Sequence, residues 1–209
     1  MKLYSYWRST TSYRVRIALN LKELDYDVVP VDLTAGAQKS DDYVALNPIK
    51  GVPTLITDTG TVLTQSMAIL GYLDEIAPAP ALLPQDDPEL RARISAAALV
   101  FATDVHPVNN LKVVNKVRDL SDADTAVDWM QYWMVEGFQA FEALIEMDTD
   151  FSFGAVPTFA DICLVAQVFN ARRWGLDLSP FPRLNDIEKK CLAQPAFDAA
   201  RPENQKDAI

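Results

Sequence analysis

Four hydroxyl residues in a row, Ser9-Thr10-Thr11-Ser12, stand between two stretches of different hydrophobic period. Before them, Leu3-Tyr4-Ser5-Tyr6 is a short apolar run with strand character. After them, Val15, Ile17, Ala18, Leu19 and Leu21 recur at helical spacing, so a helix is expected over Ser12–Leu21. The Val-rich run Tyr26–Val31 then returns to strand character. Strand, helix and strand in so short a span make a βαβ unit, whose parallel strands require a right-handed crossover. The hydroxyl turn therefore opens the first helix of an α/β layer. A helix start leaves backbone N–H donors unpaired and carries partial positive charge, which makes it a seat for an anion, a thiolate included. Arg8, Arg14 and Arg16 flank the turn and nothing acidic does. Ser and Thr are also ordinary helix caps, so at this point an anion seat and a plain cap both stand.

The rest of the chain divides by period. A helical turn at Asp41–Leu46 is ended by Asn47-Pro48. Val52-Pro53 leads into a strand, Asp58-Thr59-Gly60 turns, Thr61–Thr64 is a further strand, and Gln65-Ser66 caps a helix over Met67–Ile76. A proline-rich link follows. Past it every apolar pattern is helical: Glu89–Lys116 with a bend at His106-Pro107, Thr125–Glu146, Thr158–Arg172, and roughly Arg183–Ala193. The expected organisation is an α/β domain over 1–78, a linker over 79–87 and an all-helical domain over 88–209.

The chain has 209 residues and a formal net charge of −10. That balance opposes nucleic acid and anionic membrane surfaces as partners, both of which need a basic face. It leaves room for a small anionic substrate held by a local cluster of cations. Cys163 and Cys191 both lie in apolar helical patterns and are expected as buried thiols, in keeping with a reducing compartment. With a single histidine and no ligand spacing, no metal site is expected. There is no leader-peptide pattern and no run of membrane-spanning length, so the chain reads as soluble and cytoplasmic.

Several motifs agree on a family. The segment Tyr6-Trp7-Arg8-Ser9-Thr10-Thr11-Ser12-Tyr13-Arg14-Val15-Arg16-Ile17-Ala18-Leu19 resembles the Ser-Ser-Cys motif and Arg-Val-Arg-Ile-Ala-Leu tail of the zeta-class cytosolic glutathione transferases. That class includes maleylacetoacetate and maleylpyruvate isomerases. Similar too are Ala45-Leu46-Asn47-Pro48, Leu82-Leu83-Pro84, Asn110-Leu111, Ala160-Asp161-Ile162-Cys163-Leu164-Val165 and Leu178-Ser179-Pro180-Phe181-Pro182. The resemblance covers the whole chain. It implies a thioredoxin-like N-terminal domain followed by a helical C-terminal domain, glutathione as cofactor, a homodimer, and cis–trans isomerisation of a maleyl keto acid in aromatic-ring catabolism.

The resemblance also assigns roles by position. Ser9 is implied as the thiol-activating hydroxyl, with Thr10 as a fallback, while Ser12 keeps the helix N-cap role that the residues themselves suggest. Thr11 stands where many members of the class have Cys, so chemistry assigned to that thiol is absent here. Glutathione is implied at Ser9, Thr10, Thr11, Gln38, Val52, Pro53, Gln65, Ser66, His106 and Asn110, with Pro53 cis. Arg8, Lys112 and Arg173 are the cations expected around the substrate, Arg8 also within the catalytic group. Lys112 replaces an Arg of the maleylpyruvate isomerases and keeps the charge while losing bidentate geometry. Other roles compete at several of these positions. Arg173 also suits a helix C-terminus by its charge, and His106 before Pro107 also marks a bend. Thr158-x-x-Asp161 matches a capping box and is read as structural. At least one of Arg14 and Arg16 is read as a surface or inter-domain ion pair. Trp129 and Trp133 are read as core or interface. Two other functions share the fold: a general transferase acting on small α-halo acids, and a non-catalytic interaction module.

Overall fold

The computed structural model describes residues 1–208. Its first elements follow the expected order. They are β1 (Lys2–Ser5), α1 (Thr10–Leu21), β2 (Asp27–Pro30), a 3-10 turn at Ala37–Lys39, α2 (Asp41–Leu46), β3 (Thr54–Ile56), β4 (Val62–Thr64) and α3 (Ser66–Ile76). The strands form one sheet in the order β2-β1-β3-β4. β1 runs parallel to β2, as the intervening helix demands, and β3 is antiparallel to both β1 and β4. This is the thioredoxin-like arrangement. Leu3, Val15, Ile17, Leu19, Leu55, Ile69, Leu70 and Leu73 are fully buried and form its core.

Two details of α1 correct the sequence reading. The helix begins at Thr10, and its N-cap is Ser9, whose Oγ accepts the Ser12 backbone N–H at 3.2 Å. Ser12, expected as the cap, is instead buried on the helix with its own Oγ unpartnered. The apolar pattern starts only at Val15, so periodicity alone places the helix start too late. Arg14 and Arg16 are also not surface groups, since both are fully buried. Arg16 donates to the carbonyls of Ala200 (3.0 Å) and Trp7 (3.1 Å) and to Ser5 Oγ (3.1 Å). Burial pushes its guanidinium down to about 10, partly opposed by Tyr26, Tyr13 and Asp207.

The chain forms two compact units. One holds Met1–Ala81 together with the residues from Leu192 onward, and the other is Leu82–Cys191. The sequence periods alone assign the closing segment to the helical region instead. In the structure α9 (Pro195–Ala200) packs on α1, and Phe197 and Ala200 are buried there. Asn20 Nδ2 donates to the Ala196 carbonyl at 3.0 Å, and the Trp7 N–H to Asp207 Oδ2 at 3.1 Å. Lys22, at the C-cap of α1, is also buried. Its ammonium contacts Asp74 and the carbonyls of Ala77 and Pro80, each at 2.6 Å.

The second unit contains α4 (Pro88–Leu99), α5 (Leu111–Leu120), α6 (Ala123–Leu144), α7 (Phe159–Arg173) and α8 (Pro182–Leu192). The single helix expected over 89–116 is divided. α4 passes into a π-helical turn, Val100–Val105, and stops at His106; Asn110 then caps α5. Pro107 cannot donate to a continuing ladder. Gly137 of α6 lets the π turn approach, since a Cβ there would stand 2.2 Å from Val105 Cγ2. Phe101 of the π turn meets Phe138 edge-on at 5.4 Å and stacks on Phe141 at 4.7 Å, between ring centroids. Trp129 lies on the exposed border of α6, and its indole N–H donates to the Val108 carbonyl at 2.9 Å.

α7 is buried on nearly all sides. The capping box at its start is present. Asp161 accepts from the N–H of Thr158 (2.7 Å), from its hydroxyl (2.9 Å) and from the Ser152 N–H (2.8 Å). Burial raises the Asp161 carboxyl above its ordinary value, and those hydrogen bonds oppose the rise.

Candidate active site

The turn after β1 is built from short local contacts. The Ser9 N–H donates to the Tyr6 carbonyl at 2.9 Å, and the Tyr13 N–H to the Ser9 carbonyl at 2.9 Å. Ser9 therefore stands at the first turn of α1, half-buried, where the helix start is positive. No acidic residue lies in that first turn. Thr10 is buried, which leaves Ser9 and Thr11 as the partly accessible hydroxyls. Their oxygens are 3.0 Å apart, and Thr11 Oγ1 donates to the Val52 carbonyl at 2.8 Å. The turn and the loop before β3 are thus tied together.

That loop has its own support. The Val52-Pro53 peptide is cis, as the resemblance implied. Asn47, the C-cap of α2, donates from Nδ2 to the Gly51 carbonyl (2.8 Å) and to Thr54 Oγ1 (3.0 Å). The Tyr43 hydroxyl donates to the same Gly51 carbonyl at 2.6 Å. The Asn47-Pro48 motif therefore ends α2 and anchors the cis-proline loop.

A second helix start contributes from α3. Gln65 is its N-cap, with φ 67° and ψ 117°, and is exposed. A side chain in that region costs on the order of 1–3 kcal/mol, and such strain collects at ligand clamps. Ser66 follows at the first helical position, buried, with its Oγ 3.5 Å from the Arg14 guanidinium. Arg14 thus places a buried positive charge behind the start of α3. Gln38 lies on the 3-10 turn before α2, and its Oε1 is a buried acceptor with no donor. Arg8 is held on its own segment. Its guanidinium donates to the Tyr6 hydroxyl at 2.9 Å and lies 4.8 Å from the Trp7 ring centroid.

The remaining sequence candidates lie on the second unit. His106 ends the π turn, its N–H donating to the Phe101 carbonyl at 3.0 Å. Asn110 spends its Oδ1 on capping α5, accepting the Lys112 N–H at 3.2 Å. Lys112 is exposed in the first turn of α5, the end a helix dipole makes unfavourable for a cation. Arg173 closes α7, where the dipole favours it, and lies 5.1 Å from the Trp174 ring centroid.

Sequence reasoning missed the residues that hold the site from behind: Tyr6 under Arg8, Arg14 under Ser66, Asn47 under the proline loop, and Asp207 at Trp7. Only Asn47 carried a local signal, its place before a proline. Among the described residues no group of three or more His, Cys, Asp or Glu side chains could hold a metal ion. No helix among them is long and apolar enough to cross a membrane.

Residues 1–75 match the family model for the glutathione S-transferase N-terminal domain. A maleylacetoacetate isomerase from Pseudomonas aeruginosa is 44% identical, over 99% of this chain and 98% of the relative. Among solved structures, a maleylpyruvate isomerase described as a bacterial zeta-class glutathione S-transferase superposes with a TM-score of 0.96. It is 41% identical and all of both chains is covered. A maleylacetoacetate isomerase from Anaeromyxobacter dehalogenans, with glutathione bound in its active site, gives a TM-score of 0.90. That match is 40% identical over 100% of this chain and 97% of the other.

Proposed function

Since the chain belongs to the zeta-class glutathione transferases, we propose that it is a glutathione-dependent cis–trans isomerase acting on maleylacetoacetate or maleylpyruvate in aromatic-ring catabolism. The observation that carries this is the Ser9 hydroxyl at the start of α1, tied through Thr11 to the carbonyl that precedes cis-Pro53. The first unit fits glutathione in three further respects: the strained Gln65, the open helix start at Ser66, and the orphaned acceptor of Gln38.

Bound glutathione supplies what the side chains lack, a thiolate able to add to a cis double bond, permit rotation about it and leave unchanged. The chain's residues set the conditions. Ser9 donates a hydrogen bond to the charged sulfur, and the α1 N-terminus adds its partial positive charge. Both favour the thiolate over the thiol, whose proton is released to solvent. Val52, next to cis-Pro53, and Gln38 are proposed to hold the peptide. Gln65 and Ser66 hold its γ-glutamyl carboxylate at the start of α3, with the charge of Arg14 behind them. His106 and Asn110 are proposed as further contacts. Arg8, Lys112 and Arg173 are proposed to meet the carboxylates and the developing enolate of the substrate. Lys112 has the better claim of the two helical-unit cations. Its position is unfavourable for the helix, whereas Arg173 already has the dipole and Trp174.

The working form is proposed as a cytoplasmic homodimer with a small anionic substrate and no nucleic-acid or membrane partner. The net charge of −10 and the exposed Trp129 and Tyr132 support this reading. Sedimentation of the purified protein tests the dimer.

The activity is tested with purified protein, glutathione and each maleyl substrate. Turnover of one or both is expected, and Ser9→Ala lowers kcat/KM by about 100- to 1000-fold, the range for losing one charge-stabilising donor. No turnover of either substrate at high enzyme concentration defeats the proposal.

A further inference from the structure

The hydrogens of the Ser9–Thr11 pair can be assigned by counting. A carbonyl oxygen only accepts, so Thr11 must give its one hydroxyl proton to Val52 O, 2.8 Å away. In the 3.0 Å contact between the two hydroxyls Thr11 can then only accept, and Ser9 must donate. Ser9 Oγ itself accepts the Ser12 N–H at 3.2 Å. In this state the Ser9 proton points at Thr11 and serves no ligand.

We infer that Ser9 and Thr11 form a reversible donor pair: Ser9 donates to Thr11 at rest, and when an anionic sulfur occupies the turn the direction inverts, Thr11 donating to Ser9 and Ser9 to the sulfur. The inference rests on the thiolate-seat reading given above. An anionic acceptor draws the Ser9 proton because a charge-assisted hydrogen bond is about twice as strong as a neutral one. Inversion keeps the Ser9–Thr11 bond and places a second donor on Ser9 Oγ, which makes Ser9 a stronger donor in turn. The Val52 carbonyl, released by Thr11, becomes available to a peptide N–H or to water. No covalent bond changes in the protein; two hydroxyl protons rotate. Thr11 is thus a positioning residue that acts through Ser9. It performs by hydrogen bonding a task that a thiol, a weak donor and weak acceptor, cannot do well.

The test measures the ultraviolet absorption of enzyme-bound thiolate at saturating glutathione and fixed pH, with no second substrate. Thr11→Val keeps the branched shape and removes the hydroxyl, so the ratio of thiolate to thiol is expected to fall about fivefold, the worth of one ordinary hydrogen bond. Thr11→Ser restores it, which a packing role for the threonine methyl would not. Thr11→Cys gives a second reduced-donor variant should the valine chain fold poorly, and it is expected to fall with valine. An unchanged signal in the valine or cysteine variant, or no recovery in Thr11→Ser, overturns the inference. A wild-type protein that binds glutathione without any thiolate signal overturns the thiolate seat and the inference with it. A normal thiolate signal without turnover of maleyl substrates defeats only the proposed reaction.

Discussion

The family resemblance sets Thr11 where many members of the class have Cys, and the two thiols the chain does have are remote from solvent. Cys163 and Cys191 are both buried, on α7 and α8. Burial pushes the Cys191 thiol far up, and the carboxylates of Asp161 and Glu188 push the same way. Only the thiolate is an effective nucleophile. Alkylation of the native protein with iodoacetamide is therefore expected to leave mass and activity unchanged, with both thiols reacting once denaturant is added. Intact-mass spectrometry before and after unfolding checks this, and rapid inactivation of the native protein would contradict it. Asp161 shows a different residue-level dependence. It satisfies three donors from Ser152 and Thr158, so Asp161→Ala strands them in the core. Urea unfolding should show a loss of about 3 kcal/mol or more, the penalty for unpaired buried polar groups. A loss below 1 kcal/mol would mean that water replaces the carboxylate.

At the scale of elements, two devices can be tested with opposite expectations about solvent. Gly137 admits the π turn, so Gly137→Ala drives a Cβ into Val105. Alanine is the better helix former by about 1 kcal/mol, yet overpacking costs roughly 1–3 kcal/mol. The net expectation is destabilisation, and a gain in urea midpoint would show that the π turn yields freely. Asp122 caps α6 from the surface, its Oδ1 accepting the Thr125 N–H at 2.7 Å. The Thr125 N–H and hydroxyl, with a smaller contribution from the Asp124 N–H, hold its carboxyl below the usual range. A depressed folded-state pKa gives stability above the unfolded value that is lost as pH falls through the folded one. Asp122→Ala should therefore lower Tm at neutral pH and cease to matter in strong acid. A pH-independent difference would place the effect in packing.

Legibility at this scale followed the strength of local punctuation. The strands and helices of residues 1–78 were marked by changes of period and by Asn47-Pro48, Gly60 and Gln65-Ser66. Periodicity places the start of α1 too late because Thr10 and Thr11 carry no apolar signal, although the capping Ser9 stands directly before them. The π turn leaves no local signal in Val100–Val105, and the Gly137 that lets α6 approach it lies far along the chain. The breadth of burial around α1 was also hidden. Two arginines on a helix suggest a wet face, and here two carbonyls and one hydroxyl from outside the helix satisfy Arg16 inside the core. Within the candidate site, Ser9, Thr11 and the cis-proline loop could be assigned from the family motif. Their supports, Tyr6, Arg14 and Asp207, could not, because each depends on a contact that only the folded chain creates.

For the molecule as a whole, the end of the chain completes its beginning. Ala200 offers its carbonyl to Arg16, and Arg16 in turn holds the Ser5 hydroxyl at the end of β1 and the Trp7 carbonyl within the turn that leads to Ser9. Asp207 holds the Trp7 N–H. Removing this segment does more than shorten the protein, because it uncovers a buried guanidinium and strips two of the contacts that shape the hydroxyl turn. The apolar surface of α1 that Phe197 and Ala200 cover is exposed to water as well. A chain ending at Cys191 is therefore expected to lose glutathione binding by calorimetry and to unfold at lower denaturant than the full chain. Phe197→Ala separates packing from polar support. It keeps the carbonyl of Ala200 and should cost roughly 3–5 kcal/mol, the price of an emptied aromatic site, while glutathione affinity in the folded fraction stays near that of the wild type. Unchanged glutathione affinity in the truncated chain would show that the first helix holds its turn without help from the last.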